Sequence, residues 1–354
     1  ADVLTRPEAL GILCSRLDGV DRLVLLGDVL ELRHGPARHA LARAEPVMRA
    51  IGEAIGPQGE VVIVAGNHDH ALAAGWLDWR GRRDEPEPLA LEQRVAPQHA
   101  SWIVKRLAGS LGPASVQLAY PGLWLRDDVY AMHGHYLDVH CAIPTLEVLV
   151  ARAMARMVGA VPQHATPDDY EAVLAPLFAW IQSSAQRAAA RRRSAGGGTA
   201  IEVWNALEGP GRPRAPRRLA LRAGFRLAVA AANAAGLGPL RPEIGGVAMR
   251  RAGLAGLAEV AQRLGVAPAH LVFGHTHRTG ALDGDDPSEW RTPSATRLHN
   301  SGCWVYETHF MGPLRERADP YWPGGAIALD DAGPPRLERL LGDYSADVLM
   351  GRRA

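Results

Sequence analysis

Four short segments of the chain carry side chains that could bind a metal ion or move a proton. They are Gly27-Asp28, Gly66-Asn67-His68-Asp69, His133 and Gly274-His275-Thr276-His277. Carboxylate, carboxamide oxygen and imidazole are ligands that suit Mn, Fe or Zn, and the lack of nearby thiols argues against a structural zinc site. One such segment alone would be a weak signal, but four in succession indicate a metal site.

Each of these segments follows a run of apolar residues that is typical of a buried strand. The runs are 21–26, 61–65, 123–132 and 270–273. Apolar residues at helical spacing across 37–55 separate the first two runs, and this order of strand, turn, helix and strand predicts an α/β fold with a mainly parallel sheet. Because active sites of open α/β sheets form at strand ends, we expect the four segments to meet.

The composition places the chain among soluble globular proteins. It has 354 residues, 47% of them apolar and 22% charged, and a formal net charge of +1 that offers no global argument for binding nucleic acid. Three widely separated cysteines, Cys14, Cys141 and Cys303, argue against a disulfide framework and suit a reducing compartment. No apolar run of ~20 residues and no signal-peptide pattern is present. The sequence therefore predicts a cytoplasmic protein, with peripheral membrane association left open.

The simplest domain organisation is one discontinuous α/β domain with a helical insertion. Residues 1–140 and 269–354 supply the strand-like runs and the metal-binding residue types, whereas residues 141–268 are dominated by helical patterns. A hydroxyl cap, a proline and two acids at Thr166-Pro167-Asp168-Asp169 mark one clear helix start inside the insertion. Since loops and lids over rigid strand ends set specificity, we expect the insertion to govern the choice of substrate.

A basic stretch at 187–222 is the main candidate for a partner surface in this insertion. It contains nine arginines against two glutamates. Such a stretch suits a phosphate-rich substrate, RNA or an anionic membrane surface. A solvated helix face in an arginine-rich protein explains the same composition, so both interpretations remain open. The sequence indicates no obligate protein partner.

The four segments together resemble the motifs of the calcineurin-like metallophosphoesterase family. Its usual pattern is DxH, GDxx(D/E), GNH(D/E), a lone His and then GHxH. This chain has GDVLE at Gly27–Glu31, GNHD at Gly66–Asp69, HGH at His133–His135 and GHTH at Gly274–His277. The resemblance covers roughly residues 1–140 and 269–330.

The resemblance implies a four-layer sandwich, in which two β-sheets are flanked by helices, and a pair of divalent metals. Asp28 would bridge both metals; Asn67, His133 and His275 would hold one of them, and His277 and Asp2 the other. Two metals ~3.5–4 Å apart generate a hydroxide at neutral pH and neutralise phosphoryl oxygens. The implied activity is hydrolysis of a phosphate ester by attack of the metal-bound hydroxide.

The remaining residues of the motifs receive roles from the same resemblance. His68 would orient the phosphate or protonate the leaving oxygen, and Asp69 would hold the imidazole of His68. His135 is a candidate for contact with the substrate. Glu31 matches the family's acidic position, although a helix cap or an ion pair would explain it equally well.

The first motif departs from the family pattern. Where the family has DxH, this chain has Asp2-Val3-Leu4, and the leucine cannot bind a metal. The second metal would then be held by Asp2, Asp28, His277 and water, would bind weakly, or would recruit a nearby histidine. The histidines on the relevant turns are His34, His39 and His70.

Three functions remain open at the level of sequence. The first is a phosphoesterase acting on a phosphomonoester, a phosphodiester or a pyrophosphate. The second is a pyrophosphohydrolase of a nucleotide-linked lipid, since members of the family with that activity also carry a helical insertion after the middle histidine. The third is a catalytically weakened metal-binding module whose basic insertion docks on membrane or RNA.

Overall fold

The computed structural model describes residues 2–190, 215–243, 245–308, 310–311 and 317–351. Within them lie ten strands: β1 Arg22–Leu26, β2 Glu60–Val64, β3 Glu92–Val95, β4 Ser115–Arg126, β5 Val129–Met132, β6 His270–Phe273, β7 Thr279–Gly280, β8 Arg297–Ser301, β9 Gly325–Ala328 and β10 Arg336–Arg339. The predicted basic stretch at 187–222 falls largely outside the described residues, which omit 191–214.

In the described residues, ten α-helices lie between these strands and cover them. They are α1 Pro7–Arg16, α2 Ala37–Ile55, α3 Ala71–Gly81, α4 Pro97–Ala100, α5 Trp102–Ser110, α6 Leu146–Val158, α7 Pro167–Ala190, α8 Ala215–Ala232, α9 Gly246–Arg263 and α10 Ala346–Met350. Short 3₁₀ turns occupy Val3–Thr5 and His135–Val139. Among the described helices, none is both long enough and apolar enough to cross a membrane.

Eight of the strands form one curled sheet in the order β1-β2-β4-β5-β6-β8-β7, with β3 paired to β4. The pairs β1–β2, β2–β4, β5–β6 and β6–β8 are parallel, whereas β3–β4, β4–β5 and β7–β8 are antiparallel. The α/β class predicted from the sequence is confirmed, but the sheet is mixed rather than mainly parallel. The reason is that β4 and β5 form a hairpin, which reverses the chain in the middle of the sheet.

The alternation of side chains along the strands divides the core between the two faces of the sheet. In β2, Val61 and Ile63 pack with one buried cluster, while Val62 and Val64 pack with another. In β5, Tyr130 likewise joins a cluster different from that of its neighbours. The cluster around Val62 and Val64 contains residues from β2, β4, β5 and β6. The two halves of the sheet therefore pack against each other through their inner faces.

Helices cover the outer face of each half. Buried residues of α2, α3 and α5 pack with those of β2 and β4, and this cluster includes Ile51, Leu72 and Leu107. On the other half, buried residues of α6, α7 and α9 pack with those of β5, β6 and β8. The helices inside residues 141–268 therefore share a continuous core with the sheet. The predicted boundaries of the insertion stay a prediction.

Replacing Ile63 by alanine tests this arrangement of the core. Ile63 is fully buried in the central strand β2. We expect Ile63→Ala to lower the free energy of unfolding by about 2–5 kcal/mol, because the substitution leaves a cavity. Leu227→Ala, on a side chain that is 71% exposed, is the control and should change that free energy by no more than about 0.5 kcal/mol. Urea unfolding of both variants measures the difference, and equal effects would contradict the described core.

Candidate metal centre

Four strands end close together, and a candidate ligand follows each of them. Asp28 follows β1, Asn67 follows β2, His133 follows β5 and His275 follows β6. Because β1 runs parallel to β2 and β5 runs parallel to β6, each pair of carboxyl ends lies on one edge. The curl of the sheet then brings the two pairs together, since the His133 ring reaches the Leu26 carbonyl oxygen at the end of β1.

The backbone turns sharply at two of these positions. Asp28 has φ 54° and His275 has φ 59°, both in the left-handed region that side chains other than glycine rarely adopt. Residues are held in such conformations only where the surrounding structure over-determines them, which is common at functional sites. The unusual backbone therefore coincides with the segments that the sequence singles out.

Four side chains converge at this point. Asp28 Oδ2 lies 3.2 Å from His133 Nε2, and Asn67 Oδ1 lies 3.3 Å from the same nitrogen. Asn67 Oδ1 also lies 3.2 Å from His275 Nδ1. The potential ligand atoms of Asp28, His133 and His275 all fall within 4.8 Å of one another. These are the four residues predicted to surround one metal.

Neighbouring groups orient both imidazoles toward the middle of the cluster. His133 Nδ1 lies 2.8 Å from the Leu26 carbonyl oxygen, so that nitrogen carries the proton and Nε2 faces inward. His275 Nε2 lies 3.0 Å from Asp138 Oδ1, so it donates there and Nδ1 faces inward. Metal-binding histidines are commonly fixed in this way, with the second nitrogen donating to a carbonyl or a carboxylate.

The converging atoms are oxygens and imidazole nitrogens, which are atoms that can bind a cation. Asp28 Oδ2 is buried and accepts no hydrogen bond within the described residues. Burial alone would raise the pKa of Asp28, but the charges of His133 and His68 hold it well below its ordinary value. Burial would also lower the pKa of His133, and the Asp28 carboxylate raises it instead. A divalent cation at this point would replace the proton on the His133 nitrogen that faces Asp28. Two oxygens with two imidazole nitrogens suit Mn, Fe or Zn.

Asp69 ties the turn after β2 to the turn after β1. Its carboxylate accepts hydrogen bonds from the backbone N–H of Gly66 at 2.7 Å, Val29 at 2.7 Å, Leu30 at 3.2 Å and Asp28 at 3.3 Å. Burial and the Asp28 charge raise the pKa of Asp69 to about 6, against the effect of these donors. The prediction that Asp69 holds the His68 imidazole is wrong, because its oxygens are engaged by the backbone of two turns.

Glu31 takes the role that was predicted for Asp69. Glu31 Oε2 lies 2.7 Å from His68 Nδ1, which leaves His68 Nε2 pointing toward Asp28 Oδ2 at 3.7 Å. The His68 backbone N–H also donates to Asp28 Oδ1 at 2.9 Å. The second acid of the GDVLE segment therefore orients His68, and this contact explains Glu31 better than a helix cap does.

The residues predicted to hold a second metal, Asp2 and His277, do not converge in the same way. Asp2 is exposed, its carboxylate accepts from the Leu4 backbone N–H at 3.1 Å, and its backbone bridges to Val305. His277 Nδ1 lies 3.6 Å from Glu307 Oε2. Asp2 and His277 lie outside the cluster of Asp28, His133 and His275. Their role in a second site stays a prediction.

The three histidines considered as substitutes each contact other groups. His34 Nδ1 lies 3.4 Å from Glu31 Oε2, and His39 lies 3.4 Å from the Arg38 guanidinium. His70 Nε2 lies 2.8 Å from Glu171 Oε2, deep in the core. The structure therefore offers no direct support for replacement of the missing imidazole by these residues.

His135 is buried rather than presented to a substrate. Its ring is 1% exposed and packs against Tyr136 and Phe178, with centroid distances of 4.9 Å and 5.5 Å. Burial, followed by the charges of His133 and His275, lowers the pKa of His135 well below its ordinary value. A neutral imidazole in this position supports the packing behind the cluster, and direct contact with substrate would require it to become exposed.

A narrow cavity lies beside the cluster. Its lining is made by the polar residues Arg33, Asn67, Asp138 and Glu147 and the apolar residues Ala151, Leu174, Leu177, Phe178 and Ile181. Arg33 Nε is buried without a hydrogen bond in the described part of the chain, and the guanidinium lies 3.6 Å from Glu31 and 3.7 Å from Glu147. Arg33 is therefore a cation with donors available beside the cluster.

Sequence reasoning assigned no specific role to three residues of this region. Arg33 lies only two residues after Glu31, and Asp138 lies five residues after His133, so both were close to recognised motifs. Closeness to a motif along the chain does not by itself show that these side chains reach the cluster. The third residue, Glu171, comes from the helical insertion and has no recognisable motif around it.

The chain was compared with protein-family models, with curated proteins and with solved structures, and nothing matches it in any of the three comparisons. The resemblance to a family therefore depends on the motifs quoted from the sequence.

Removing the Asp138 carboxylate tests whether it fixes His275. We expect Asp138→Asn to weaken the binding of Mn²⁺ by about 10–100-fold, because the His275 ring loses the carboxylate that selects its tautomer. Asp127→Asn, at an exposed position, is the matched control and should leave the affinity unchanged. Isothermal titration calorimetry of the metal-free protein measures both. Equal affinities of Asp138→Asn and wild type would contradict the assigned orientation.

The Glu31–His68 pair predicts a stability difference that depends on pH. Burial would raise the pKa of Glu31, but the hydrogen bond and charge of His68, with Arg33, lower it from 4.5 to about 2. A carboxyl whose pKa is lowered by folding stabilises the folded protein at any pH above its pKa in the unfolded chain. That contribution is lost as the pH falls from 4.5 to about 2. In thermal unfolding of the metal-free proteins, the midpoint temperature of wild type should thus exceed that of Glu31→Gln at pH 6. The difference between the two midpoints should disappear by pH ~2. Glu85→Gln, at an exposed position, should show no such convergence.

Proposed function

We propose that this chain is a metal-dependent phosphoesterase that resembles the calcineurin-like metallophosphoesterases. The supporting observation is the convergence of Asp28, Asn67, His133 and His275 on one point, with His68 directed toward the same carboxylate. Chance polarity at strand ends does not account for two imidazoles whose outer nitrogens are both held by acceptors. The proposed reaction is hydrolysis of a phosphomonoester, a phosphodiester or a pyrophosphate.

We further propose that the fold is the four-layer sandwich of that family. The curled sheet packs its two halves against each other, and each half has helices on its outer face. This arrangement is compatible with two sheets flanked by helices. The described single sheet, continuous through β4, would then correspond to both sheets of the sandwich, joined at the long strand.

The residues of the cluster have defined tasks in this proposal. Asp28 Oδ2, Asn67 Oδ1, His133 Nε2 and His275 Nδ1 would hold one divalent cation, with Mn, Fe or Zn as candidates. A cation there would activate water at neutral pH and neutralise charge on the phosphoryl oxygens. Asp28 would be shared with a second cation near His277 and Asp2, as the family resemblance implies.

His68 would act on the oxygen that leaves. Glu31 binds its Nδ1 and thereby directs Nε2 toward the space beside Asp28. An imidazole held in this way can donate a hydrogen bond or a proton from Nε2 to the leaving oxygen of a phosphate ester. Its side chain is one-fifth exposed, so a substrate can reach it.

Arg33 would bind the phosphate from the other side of the cavity. Its contacts with Glu31 and Glu147 are longer than hydrogen bonds, so its donors can turn to a phosphoryl oxygen without breaking a strong pair. The planar guanidinium matches two oxygens of a phosphate at once. This assignment gives the site one fixed positive charge besides the metal.

A second candidate is hydrolysis of a pyrophosphate in a nucleotide-linked lipid. The observation that favours it is the apolar side of the cavity, formed by Leu174, Leu177, Phe178 and Ile181 of α7. These residues recur at helical spacing, so they present one apolar stripe toward the cluster. Such a wall suits a leaving group with an apolar portion.

Turnover of p-nitrophenyl phosphate and its bis ester with Mn²⁺ tests the proposed reaction. We expect His68→Ala to lower kcat by about 10²–10⁴-fold with Mn²⁺ affinity retained, because it removes the proposed proton donor and no metal ligand. Asn67→Ala should weaken Mn²⁺ binding itself. His99→Ala, at an exposed position of α4, serves as the control and should behave as wild type.

Two results would contradict the phosphoesterase proposal. The first is absence of turnover by a folded protein that binds Mn²⁺, which would leave a metal-binding module without this activity. The second is turnover that is unchanged in both His68→Ala and Asn67→Ala, which would assign it to a contaminant.

A further inference from the structure

Glu171 of α7 forms a buried hydrogen-bonded cluster behind the metal-binding residues. Its Oε2 lies 2.8 Å from His70 Nε2. Its Oε1 accepts hydrogen bonds from the Tyr120 hydroxyl at 2.6 Å and from the Tyr136 hydroxyl at 2.7 Å. All four side chains are buried. A single carboxylate thus receives three donors that come from three different parts of the sheet domain.

Two of these donors belong to turns that carry proposed metal ligands. His70 comes three residues after Asn67, and Tyr136 comes three residues after His133. Asn67 Oδ1 and His133 Nε2 lie 3.3 Å apart, so their spacing depends on how these two turns are held. Glu171 is bound to both turns at once, from a helix that lies outside both.

The same face of α7 makes a second contact with the two turns. Phe178 lies two helical turns after Glu171, and its ring packs 5.1 Å from the His70 ring and 5.5 Å from the His135 ring. Residues seven apart lie on one side of a helix. The polar contact of Glu171 and the apolar contact of Phe178 therefore act on the same pair of turns.

The charge of Glu171 makes its contacts strongly directional. Burial would raise the pKa of Glu171, but the charge and hydrogen bond of His70, with the two tyrosines, lower it. A buried carboxylate with three donors is satisfied only while all of them stay in place. Movement of either turn away from α7 would leave a buried charged group short of a partner, which is costly.

We propose that Glu171 is a positioning residue for the metal centre, which fixes the spacing between the Asn67 turn and the His133 turn. Helix α7 is then a required part of the centre and not a separable lid. This inference rests on the proposed function, since it concerns the same cluster. It assigns to the helical insertion a role in metal binding, which is distinct from the selection of substrate.

Glu171→Gln is the decisive variant, because glutamine keeps the size of the side chain and removes its charge. We expect it to weaken Mn²⁺ binding by about tenfold or more, in the range found for groups that orient metal ligands. With p-nitrophenyl phosphate at saturating Mn²⁺, kcat should fall while KM changes by less than about twofold, since no group that binds substrate is altered. Calorimetry and steady-state kinetics measure the two effects.

The matched control is Asp168→Asn on the same helix. Asp168 pairs with Arg80 of α3 and so also attaches α7 to the sheet domain, but at a partly exposed position away from the turns. This variant should retain the Mn²⁺ affinity and kcat of wild type. A loss equal to that of Glu171→Gln would show that general attachment of α7 matters, and would overturn the specific role of the carboxylate.

Tyr136→Phe keeps the inference testable if Glu171→Gln does not fold. It removes one hydrogen bond, on the His133 turn alone, and should lower kcat and Mn²⁺ affinity in a protein whose circular dichroism matches wild type. Unchanged affinity and kcat in a folded Glu171→Gln, or in Tyr136→Phe where only that variant folds, would overturn the inference. Failure of wild type itself to bind Mn²⁺ would instead refute the proposed function.

Discussion

The rest of the site depends on the buried carboxylate oxygen Asp28 Oδ2, which accepts no hydrogen bond in the described part of the chain. Asp28 Oδ2 faces His133 Nε2 across 3.2 Å, and Asn67 Oδ1 lies against the same nitrogen. Acceptors that converge in a buried place are unfavourable unless a cation lies between them. The surrounding structure must therefore hold these groups together against their tendency to separate. The contacts around the cluster are the means by which it does so.

Two kinds of contact within the sheet and its turns supply that restraint. Backbone groups act first, since Asp69 accepts from the amides of two turns and His133 donates to the carbonyl of Leu26. Carboxylates act next, with Asp138 on His275 and Glu31 on His68. In each case one atom of a reactive side chain is engaged, so that its other atom is directed to the centre. The geometry of the site is thus determined by partners that would not themselves bind metal.

The helical insertion contributes to this restraint and also borders the cavity. Glu171 and Phe178 of α7 contact the turns that carry the cluster, and Leu174, Leu177 and Phe178 of the same helix line the cavity beside it. These residues belong to a core that is continuous with the sheet. An insertion that shares its core with the sheet can transmit packing changes to the cluster of Asp28, Asn67, His133 and His275, because close-packed interiors accommodate strain poorly.

The sequence by itself was sufficient to predict the α/β class and the four segments that converge, and the family resemblance then implied which residue of each segment would bind metal. Both depend on local patterns, since apolar runs of strand length ending in Asp, Asn or His can be recognised without knowing what surrounds them. The resemblance to a metallophosphoesterase also came from those patterns. The same reasoning assumed a mainly parallel sheet, because nothing in the apolar run at 123–132 distinguishes one strand from a hairpin.

Only the tertiary structure decided which partner each functional group has. Glu31 and His68 are 37 residues apart in the chain, His70 and Glu171 are 101 apart, and Asp138 and His275 are 137 apart. Sequence spacing predicts contacts within a helix or a strand, whereas these pairs are set by how the sheet curls and where α7 packs. For the same reason the role that the resemblance implied for Asp69 is wrong, because the fold gives the contact with the His68 ring to Glu31.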